Sequence, residues 1–509
     1  MSKSNSKSTQ AKALKKLVVK QIKKNYPSFN THSKTEKKEI IEHIWKQVYK
    51  NYDFSTDPDL SKQQLLNIEP LPQDIITIEQ MKQLMAQQQT TIIPLMPNAS
   101  IKYIQDSELK DIYDLVNWNL INSLLVDQNY TPGKRELQPV HFFKAELLKN
   151  LKYAELSYRK YTKNEINNPE RKQYRAFIGL KHDQSISHSQ LSQFRTGMPF
   201  KKLLNVMVYF ICLFLENKPL SPATFYAMDS TEIAAKTSPY PLFKMKLGDK
   251  WIRVYQDIDA DCGTRRQKRD KSTFVVGYRL HTLTVIDAKT EIAYPLLSIL
   301  APANHHDSNF LEMLVDLGTT IGLNLNIVTT DQAYGDVDEL EYIHKKHNVN
   351  ILNAPKQLNQ LPKHVDAKTY AVRKNASCAV DMVYASCDQH DGHEFHCNAQ
   401  SGECPFDGSC NKFRHIPVDT GVFGKIPYFL DGAQKIVAMR KVAERPFNLI
   451  KHRDGLEPLR TKGIHNSTVV ATIANIATLL IEIAGHRKKA KTNKEQHENL
   501  AFEFMKKAA

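Results

Sequence analysis

The chain has 509 residues, and its 70 Lys and Arg residues outnumber 54 Asp and Glu residues to give a formal net charge of +16. This excess of positive charge favours a polyanionic partner, either nucleic acid or an anionic membrane surface. The length favours about three units of roughly 100 to 200 residues each, and 41% hydrophobic residues are enough to fold them. Seven cysteines in so long a chain exclude a disulfide scaffold.

The positive charge is concentrated at the amino terminus. Residues 1–50 hold thirteen lysines against Glu36, Glu39 and Glu42, a net charge of +10. The segment is interpreted either as an arm that binds phosphates or as a solvated tail without a specific role.

Two segments bear on location in the cell. Met1 to Gln10 is polar and no apolar stretch follows it, so we expect no signal peptide and a cytoplasmic, nucleoid-associated protein. The most apolar run, Val469 to Ala484, is interrupted by polar residues and is shorter than the roughly 20 residues that span a bilayer. It predicts a buried helix and no membrane partner.

From Ser107 to Leu220 the apolar pattern is helical almost throughout. Within it, the Ser-capped segment Ser185 to Gly197 has two interpretations. It could be the second helix of a helix-turn-helix, or it could simply be a packing element. In the first case it would bring a polar set to DNA: Ser189, Gln190, Gln193 and Arg195.

At Thr224 the periodicity changes to that of strands. A short apolar strand from Phe225 to Ser230 carries Asp229, and Leu325 to Thr330 delivers Asp331. Further elements are predicted as a hairpin of Phe274–Ile286 with Ala293–Leu300, helices at Ser308–Ile321 and Val337–His347, and strands at Trp251–Tyr255 and Asn350–Asn353. This order indicates an α/β fold with a mixed sheet.

Three carboxylates carry the chemical interpretation. Asp229 and Asp331 end apolar strands, and adjacent strands would bring them into one site with Glu444. Hard oxygen ligands suit Mg²⁺ or Mn²⁺, and two such ions about 4 Å apart can activate the attacking oxygen and stabilise the leaving oxygen of a phosphodiester. The trio therefore predicts a two-metal site.

Residues from about 175 to 487 resemble bacterial insertion-sequence transposases of the DDE superfamily, whose core is ribonuclease H-like. Asp229, Asp331 and Glu444 match the order of the family's catalytic acids. Three further contexts are similar to the family: Gly277-Tyr-Arg-Leu-His281, Pro302-Ala-Asn-His-His-Asp307 and Asp331-Gln-Ala-Tyr-Gly335.

One large group of the family has Tyr, Arg, Glu and Lys at fixed spacing around the third acid. Arg440, Glu444 and Lys451 match that spacing, whereas Val437 stands at the Tyr position. The resemblance implies that Arg440 and Lys451 bind the phosphates flanking the scissile bond. Pro446 places Glu444 in the first turn of a helix or at a kink.

Two further segments have open interpretations. A basic loop before Phe274 could bind the DNA backbone or could be a solvated turn paired with nearby aspartates; it contains Arg265, Arg266, Lys268 and Arg269. An insertion between the second and third acids carries cysteines that could bind zinc or could be reduced and partly buried. These are Cys378, Cys387, Cys397, Cys404 and Cys410.

The sequence thus predicts a mixed-sheet α/β core with an inserted small β-rich domain, preceded by an α-helical DNA-binding region, and the resemblance implies that the core is ribonuclease H-like. The predicted units are a basic arm and linker (1–100), the helical region (101–222), the first part of the core (223–355), the insertion (356–430), the carboxyl-terminal core helices (431–487) and a basic tail (488–509). The resemblance implies cut-and-paste transposition by a homodimer acting on terminal inverted repeats and target DNA. The alternatives are a zinc-containing DNA-binding regulator and a domesticated, inactive copy.

Overall fold

The computed structural model describes residues 15, 19, 33–51, 71–72, 74–88, 98–126, 137–218, 220–241, 243–247, 250–257, 259–266, 272–334, 337–354, 361–388, 392–400, 403–404, 410, 412–418, 422–453, 456–457 and 459–485. Most of the basic arm and all of the predicted tail at 488–509 lie outside the described residues.

Helices fill the first half of the described chain. They are α1 (Lys34–Asn51), α2 (Ile78–Gln88), α3 (Ser107–Leu115), α4 (Trp118–Leu125), α5 (Pro139–Lys152), α6 (Tyr158–Tyr161), α7 (Lys172–Ile178), α8 (His188–Thr196) and α9 (Phe200–Asn217). Local chemistry sets their ends: α7 stops at Gly179, whose φ of 100° suits glycine, and Ser187 and Gln190 form a capping box at the start of α8.

The main sheet is mixed, in the strand order β4-β5-β1-β7-β8, and β6 also pairs with β5. Its strands are β1 (Thr224–Ala234), β4 (Asp261–Arg266), β5 (Ser272–Asp287), β6 (Ile292–Pro302), β7 (Ile327–Thr330) and β8 (Asn350–Asn353), and a separate hairpin pairs β2 (Phe243–Leu247) with β3 (Lys250–Val254). The predicted β5–β6 hairpin is confirmed.

Strand β1 runs further than the sequence indicates. We expected it to end at Ser230, but it continues to Ala234 because each of its residues from Thr224 onward pairs with β5. Near the end of β1 the backbones of β1 and β5 approach closely, and this requires glycine in β5. A Cβ on Gly277 would lie 2.0 Å from the carbonyl oxygen of Ile233. Asp229 therefore lies in the middle of a long strand.

The later helices flank the sheet. They are α10 (Leu311–Thr320), α11 (Val337–His347), α12 (Asp431–Met439), α13 (Glu444–Asn448) and α14 (Ile464–Ile483). Helix α14 confirms the predicted buried apolar helix. Its 20 residues are long and apolar enough to cross a membrane, but 89% of its apolar window is buried inside the protein. The bent pair α8 and α9, at 95° to each other, meets the same criteria of length and composition.

One hydrophobic core joins the helical region to the sheet. It includes Phe143 of α5 and Phe210 of α9 together with Met228 of β1, Leu297 of β6 and Ile476 of α14. The helical region and the sheet therefore pack as one unit along this face.

Two buried carboxylates hold the start of α14. Its amino-terminal cap, Gly463, has no side chain to accept the first backbone N–H groups. Asp257 accepts the N–H of Gly463 at 3.0 Å and the hydroxyl of Tyr278 at 2.9 Å, and Asp259 accepts the N–H of Ile464 at 3.0 Å. The loop after β3 thus caps a helix about 200 residues further along the chain.

The segment between the second and third acids forms a small separate sheet. It has the strand order β11-β10-β9, made of β9 (Val383–Asp388), β10 (Gly392–His396) and β11 (Phe413–Ile416). Phe395, Phe423 and Phe429 pack beneath it in an aromatic cluster. The predicted β-rich character of the insertion matches this sheet.

Asp257 should give the protein a pH-dependent stability. Burial raises the pKa of Asp257 above its ordinary value near 3.8, so the native state retains a proton that the unfolded chain has already lost. Its contribution to stability is then largest at low pH and declines as pH rises from about 3.8 through the raised pKa. Asp257→Asn should flatten this part of a denaturant-unfolding series measured between pH 3 and 7.

The matched control is Asp114→Asn, because Asp114 is exposed and pairs with Lys110 of the same helix at the surface. It should leave the pH profile unchanged. A wild-type slope that persists in Asp257→Asn would contradict the assignment to Asp257.

Candidate active site

Pairing of β1 with β7 brings two of the three predicted acids together. The strands are parallel, with Tyr226 opposite Val328 and Ala227 opposite Thr329. Two residues beyond the last pair on each strand come Asp229 and Asp331, so both acids lie past the same end of the parallel pairing. Asp331 follows the last residue of β7, and its carboxylate accepts the N–H of Ala333 at 2.8 Å.

Glu444, the third acid, follows the insertion in the sequence. A 3₁₀ turn, Arg440–Ala443, packs against the sheet and leads directly into α13, of which Glu444 is the first residue. Pro446 is the third residue of α13, where its missing N–H is not needed by the helix. The side chain of Glu444 is exposed.

The electrostatics of Asp229 report on this convergence. Its side chain is 12% exposed, and burial raises its pKa to about 6. Arg440 and the N–H of Ser230 act in the opposite direction, whereas the charges of Asp331 and Glu444 raise the pKa further. The three acids are therefore close enough to interact, and Asp229 carries negative charge that its surroundings only partly compensate.

Arg440 lies against the first acid. Its Nη1 donates to Oδ2 of Asp229 at 2.8 Å, and Oδ1 of the same carboxylate accepts the N–H of Ser230 at 2.9 Å. This contact with Asp229 of β1, 211 residues earlier in the sequence, holds the guanidinium of Arg440 at the site. To make the predicted contact with phosphate, Arg440 would have to release Asp229 and bind a phosphate oxygen instead.

Lys451 is held inside the protein. It is 7% exposed, and its Nζ donates to the carbonyl oxygen of Glu232 at 2.8 Å and contacts the carboxylate of Glu457 at 2.9 Å. In this arrangement Lys451 fastens the second half of β1 to the segment before α14. The ammonium group of Lys451 is therefore not exposed to DNA phosphates in this structure.

A second charged cluster lies beside the acids and was not identified from the sequence as part of the site. Asp307 accepts from Arg279 at 2.7 Å and from the hydroxyl of Ser230, next to Asp229, at 3.2 Å. Arg279 also donates to Glu232 at 3.2 Å. The signal was present in the Arg and Asp of the two family-like contexts, but the sequence did not indicate that they meet.

Tyr334 continues this cluster toward the second acid. It is fully buried three residues after Asp331, and its hydroxyl lies 3.3 Å from Nδ1 of His281. Burial raises the pKa of Tyr334 well above its ordinary value, with further contributions from Asp307, Asp229 and Asp331. Burial likewise lowers the pKa of His281 well below its ordinary value. Tyr334 and His281 are therefore neutral side chains next to the acids.

The prediction that Arg195 contacts DNA is wrong for this structure. Arg195 is 4% exposed, pairs with the buried carboxylate of Glu146 and stacks 4.0 Å from the ring of Tyr158. It fastens α8 to α5. Ser189 and Gln193 on the opposite face of α8 remain exposed.

The basic loop before β5 is partly strand. Arg265 and Arg266 belong to β4 and pair with Thr273 and Ser272 of β5, because the antiparallel ladder extends beyond the predicted strand. Lys268 and Arg269 lie outside the described residues. The predicted contact of this segment with DNA stays a prediction.

The described residues do not form a complete set of metal ligands. No group of three or more His, Cys, Asp or Glu side chains converges among them in a way that could hold a metal ion. Of the five cysteines of the insertion, Cys378 is buried and the other four are partly exposed. The structure brings Asp229, Asp331 and Glu444 near one another without assembling a finished ligand set.

Comparison with known proteins yields little at the level of sequence. No protein-family model and no curated protein matches the chain. Among solved structures, a synaptic complex of piggyBac transposase with hairpin DNA has 11% sequence identity and a TM-score of 0.31, covering 82% of this chain and 80% of that one. A TM-score this low does not establish a shared fold.

Arg279 should be a principal stabiliser of the site. Its side chain is 14% exposed between Asp307 and Glu232. Arg279→Met would leave two largely buried carboxylates without their cation, and we expect a loss of about 2 to 3 kcal/mol in the free energy of unfolding, measured by urea denaturation.

Lys346→Met provides the comparison, because Lys346 pairs with Asp316 at a surface position where both side chains are at least 39% exposed. Its cost should be about 0 to 1 kcal/mol. Equal losses in the two variants would show that the Arg279 cluster is not a buried network.

Proposed function

We propose that this chain is a DDE transposase with a ribonuclease H-like core, which cuts DNA and joins a 3′-hydroxyl to target DNA with the help of Mg²⁺ or Mn²⁺. The proposal rests on Asp229 in a central strand, Asp331 just after its parallel neighbour and Glu444 at the start of a late helix, with the charges of Asp331 and Glu444 acting on Asp229. The family resemblance of the surrounding residues supports the same function.

The donor chemistry of the site suits a hard divalent cation. All three acids offer carboxylate oxygens, the ligands that such a cation prefers, and burial raises the pKa of Asp229 to about 6. Asp229, Asp331 and Glu444 would hold the ions. Bound there, a pair of divalent cations would supply activation of the attacking oxygen and neutralisation of charge on the phosphate.

The remaining residues position the acids and the phosphate. Arg440 lies 2.8 Å from Asp229 and can exchange that carboxylate for a phosphate oxygen when DNA enters. Ser230 and Asp307 fix the backbone next to Asp229, and Tyr334 supports the turn after Asp331. A site fixed in this way need not reorganise during the reaction.

The reaction follows from these roles. Water attacks a phosphodiester at the element end, the O3′–P bond breaks, and the leaving oxygen takes a proton to become a free 3′-hydroxyl. That hydroxyl then attacks a phosphodiester of the target and displaces its 3′-oxygen, so no bond to the protein forms. We propose a homodimer on paired inverted repeats, acting in the cytoplasm at the nucleoid.

A nicking assay tests the proposal. The probe is a linear duplex containing the DNA that flanks the coding sequence, incubated with the full chain and Mg²⁺. Wild-type protein should release a 3′-hydroxyl end, and Asp229→Asn should reduce cleavage by at least about 10³-fold while binding persists, because the first ligand of the site is lost.

Asp114→Asn serves as the matched control, since it removes an exposed carboxylate in α3. It should cleave at the wild-type rate. Binding without cleavage by wild-type protein, with either Mg²⁺ or Mn²⁺, would favour the regulator or the inactive domesticated copy. Bound zinc in the purified protein would favour the regulator.

A further inference from the structure

A basic surface lies at the junction between the helical region and the sheet. We call Lys236, Arg460 and Lys462 the junction cations. Lys236 follows the end of β1 and donates to the carbonyl oxygen of Arg460 at 3.2 Å, and Arg460 donates to the carbonyl oxygen of Glu155 at 2.9 Å. Lys236 and Lys462 are exposed, and Arg460 is half-buried.

Neighbouring acids offset only part of this charge, and one of them, the exposed Glu155, lies beside Arg460. The carboxylate of Glu457 is already engaged by Lys451 at 2.9 Å and by the N–H of Ala234 at 3.3 Å. Arg460 also lowers the pKa of the buried Lys149, after burial itself, which places two positive groups near each other. Lys236, Arg460, Lys462 and Lys451 thus outnumber the carboxylates of Glu155 and Glu457, and the junction has an excess of positive charge.

Polar groups extend the surface onto α8. Asn466 donates to the carbonyl oxygen of Lys462 at 3.1 Å and accepts from the hydroxyl of Thr196 at 3.2 Å. Beyond Thr196 an open groove of about 640 Å³ is lined by His188, Ser189, Ser192, Gln193, Thr196 and Gly197. Hydroxyl and amide groups of this kind bind phosphate oxygens alongside Lys and Arg.

The surface is rigidly connected to the acids. Asp229 and Ala234 lie five residues apart on the same strand, which corresponds to about 16 Å. Lys451 and Glu457 fasten the second half of that strand to the segment that carries Arg460. At 3.4 Å per base pair, a duplex aligned with β1 would bring the end of the strand, next to the junction cations, about five base pairs from a phosphate at Asp229.

We infer that the junction cations and the polar face of α8 bind backbone phosphates of double-stranded DNA about five base pairs from the scissile phosphate. This inference rests on the proposed function, because it names the surface along which the substrate reaches the acids. Uniform phosphate contacts of this kind would set the position of the duplex without reading its sequence.

Salt dependence of binding tests the inference. Binding of a labelled duplex from the flanking DNA is measured by fluorescence anisotropy in EDTA over a range of salt concentrations. Each lost phosphate contact should reduce the slope of log K against log salt by about 0.9, so the triple variant Lys236→Gln, Arg460→Gln, Lys462→Gln should lose about 2.7. Thermal unfolding confirms that the variant is folded.

Single variants guard against misfolding of the triple variant. Lys462→Gln should lose about 0.9 of the slope, whereas Lys368→Gln removes the same charge from an exposed position in the insertion and should lose none. Phosphate ethylation should interfere with binding about five base pairs from the cleavage point.

The outcomes separate the two claims. A wild-type protein that binds DNA with a slope unchanged in Lys236→Gln and Lys462→Gln overturns the junction surface and leaves the proposed function intact. Absence of any wild-type binding at low salt overturns the proposed function itself.

Discussion

Pairing of β1 along both of its edges is the interaction on which the candidate site depends. The antiparallel ladder with β5 holds eleven residues of β1 straight, whereas the parallel pairing with β7 extends only to Ala227 and Thr329. Where β7 stops, Asp331 turns away and one edge of β1 opens beside Asp229. A central strand that outlasts one neighbour thus leaves Asp229 beside the end of that neighbour without interrupting the sheet.

The segment between α13 and α14 performs several structural tasks at once. Glu457 fastens the end of β1, Leu456 and Leu459 pack under the sheet, and Gly463 donates to Asp257 at the start of α14. The position of the third acid is therefore tied to the same strand that carries the first. This explains how residues 215 positions apart can keep a fixed geometry.

Apolar periodicity predicted the β5–β6 hairpin, helix α11 and strand β8, because buried strands and helices have regular patterns of apolar residues in the sequence. It did not predict β4, whose residues lack apolar alternation, and the five-residue alternation of β2, Phe243-Lys-Met-Lys-Leu247, was missed. Arg195 was misjudged because its partner, Glu146, lies 49 residues earlier, and sequence spacing does not reveal a buried ion pair. The capping of α14 by Asp257 and the meeting of Arg279 with Asp307 are likewise tertiary contacts.

The continuous apolar core beneath α5, α9, α14 and the sheet has a consequence for how such a protein can change. Phe210 and Ile476 lie within one packed interior, so the helical half is not a portable module that could be exchanged for another without exposing that interior. New preferences for DNA would have to arise by substitution on the solvent face of α8 and its surroundings, with the scaffold behind it retained.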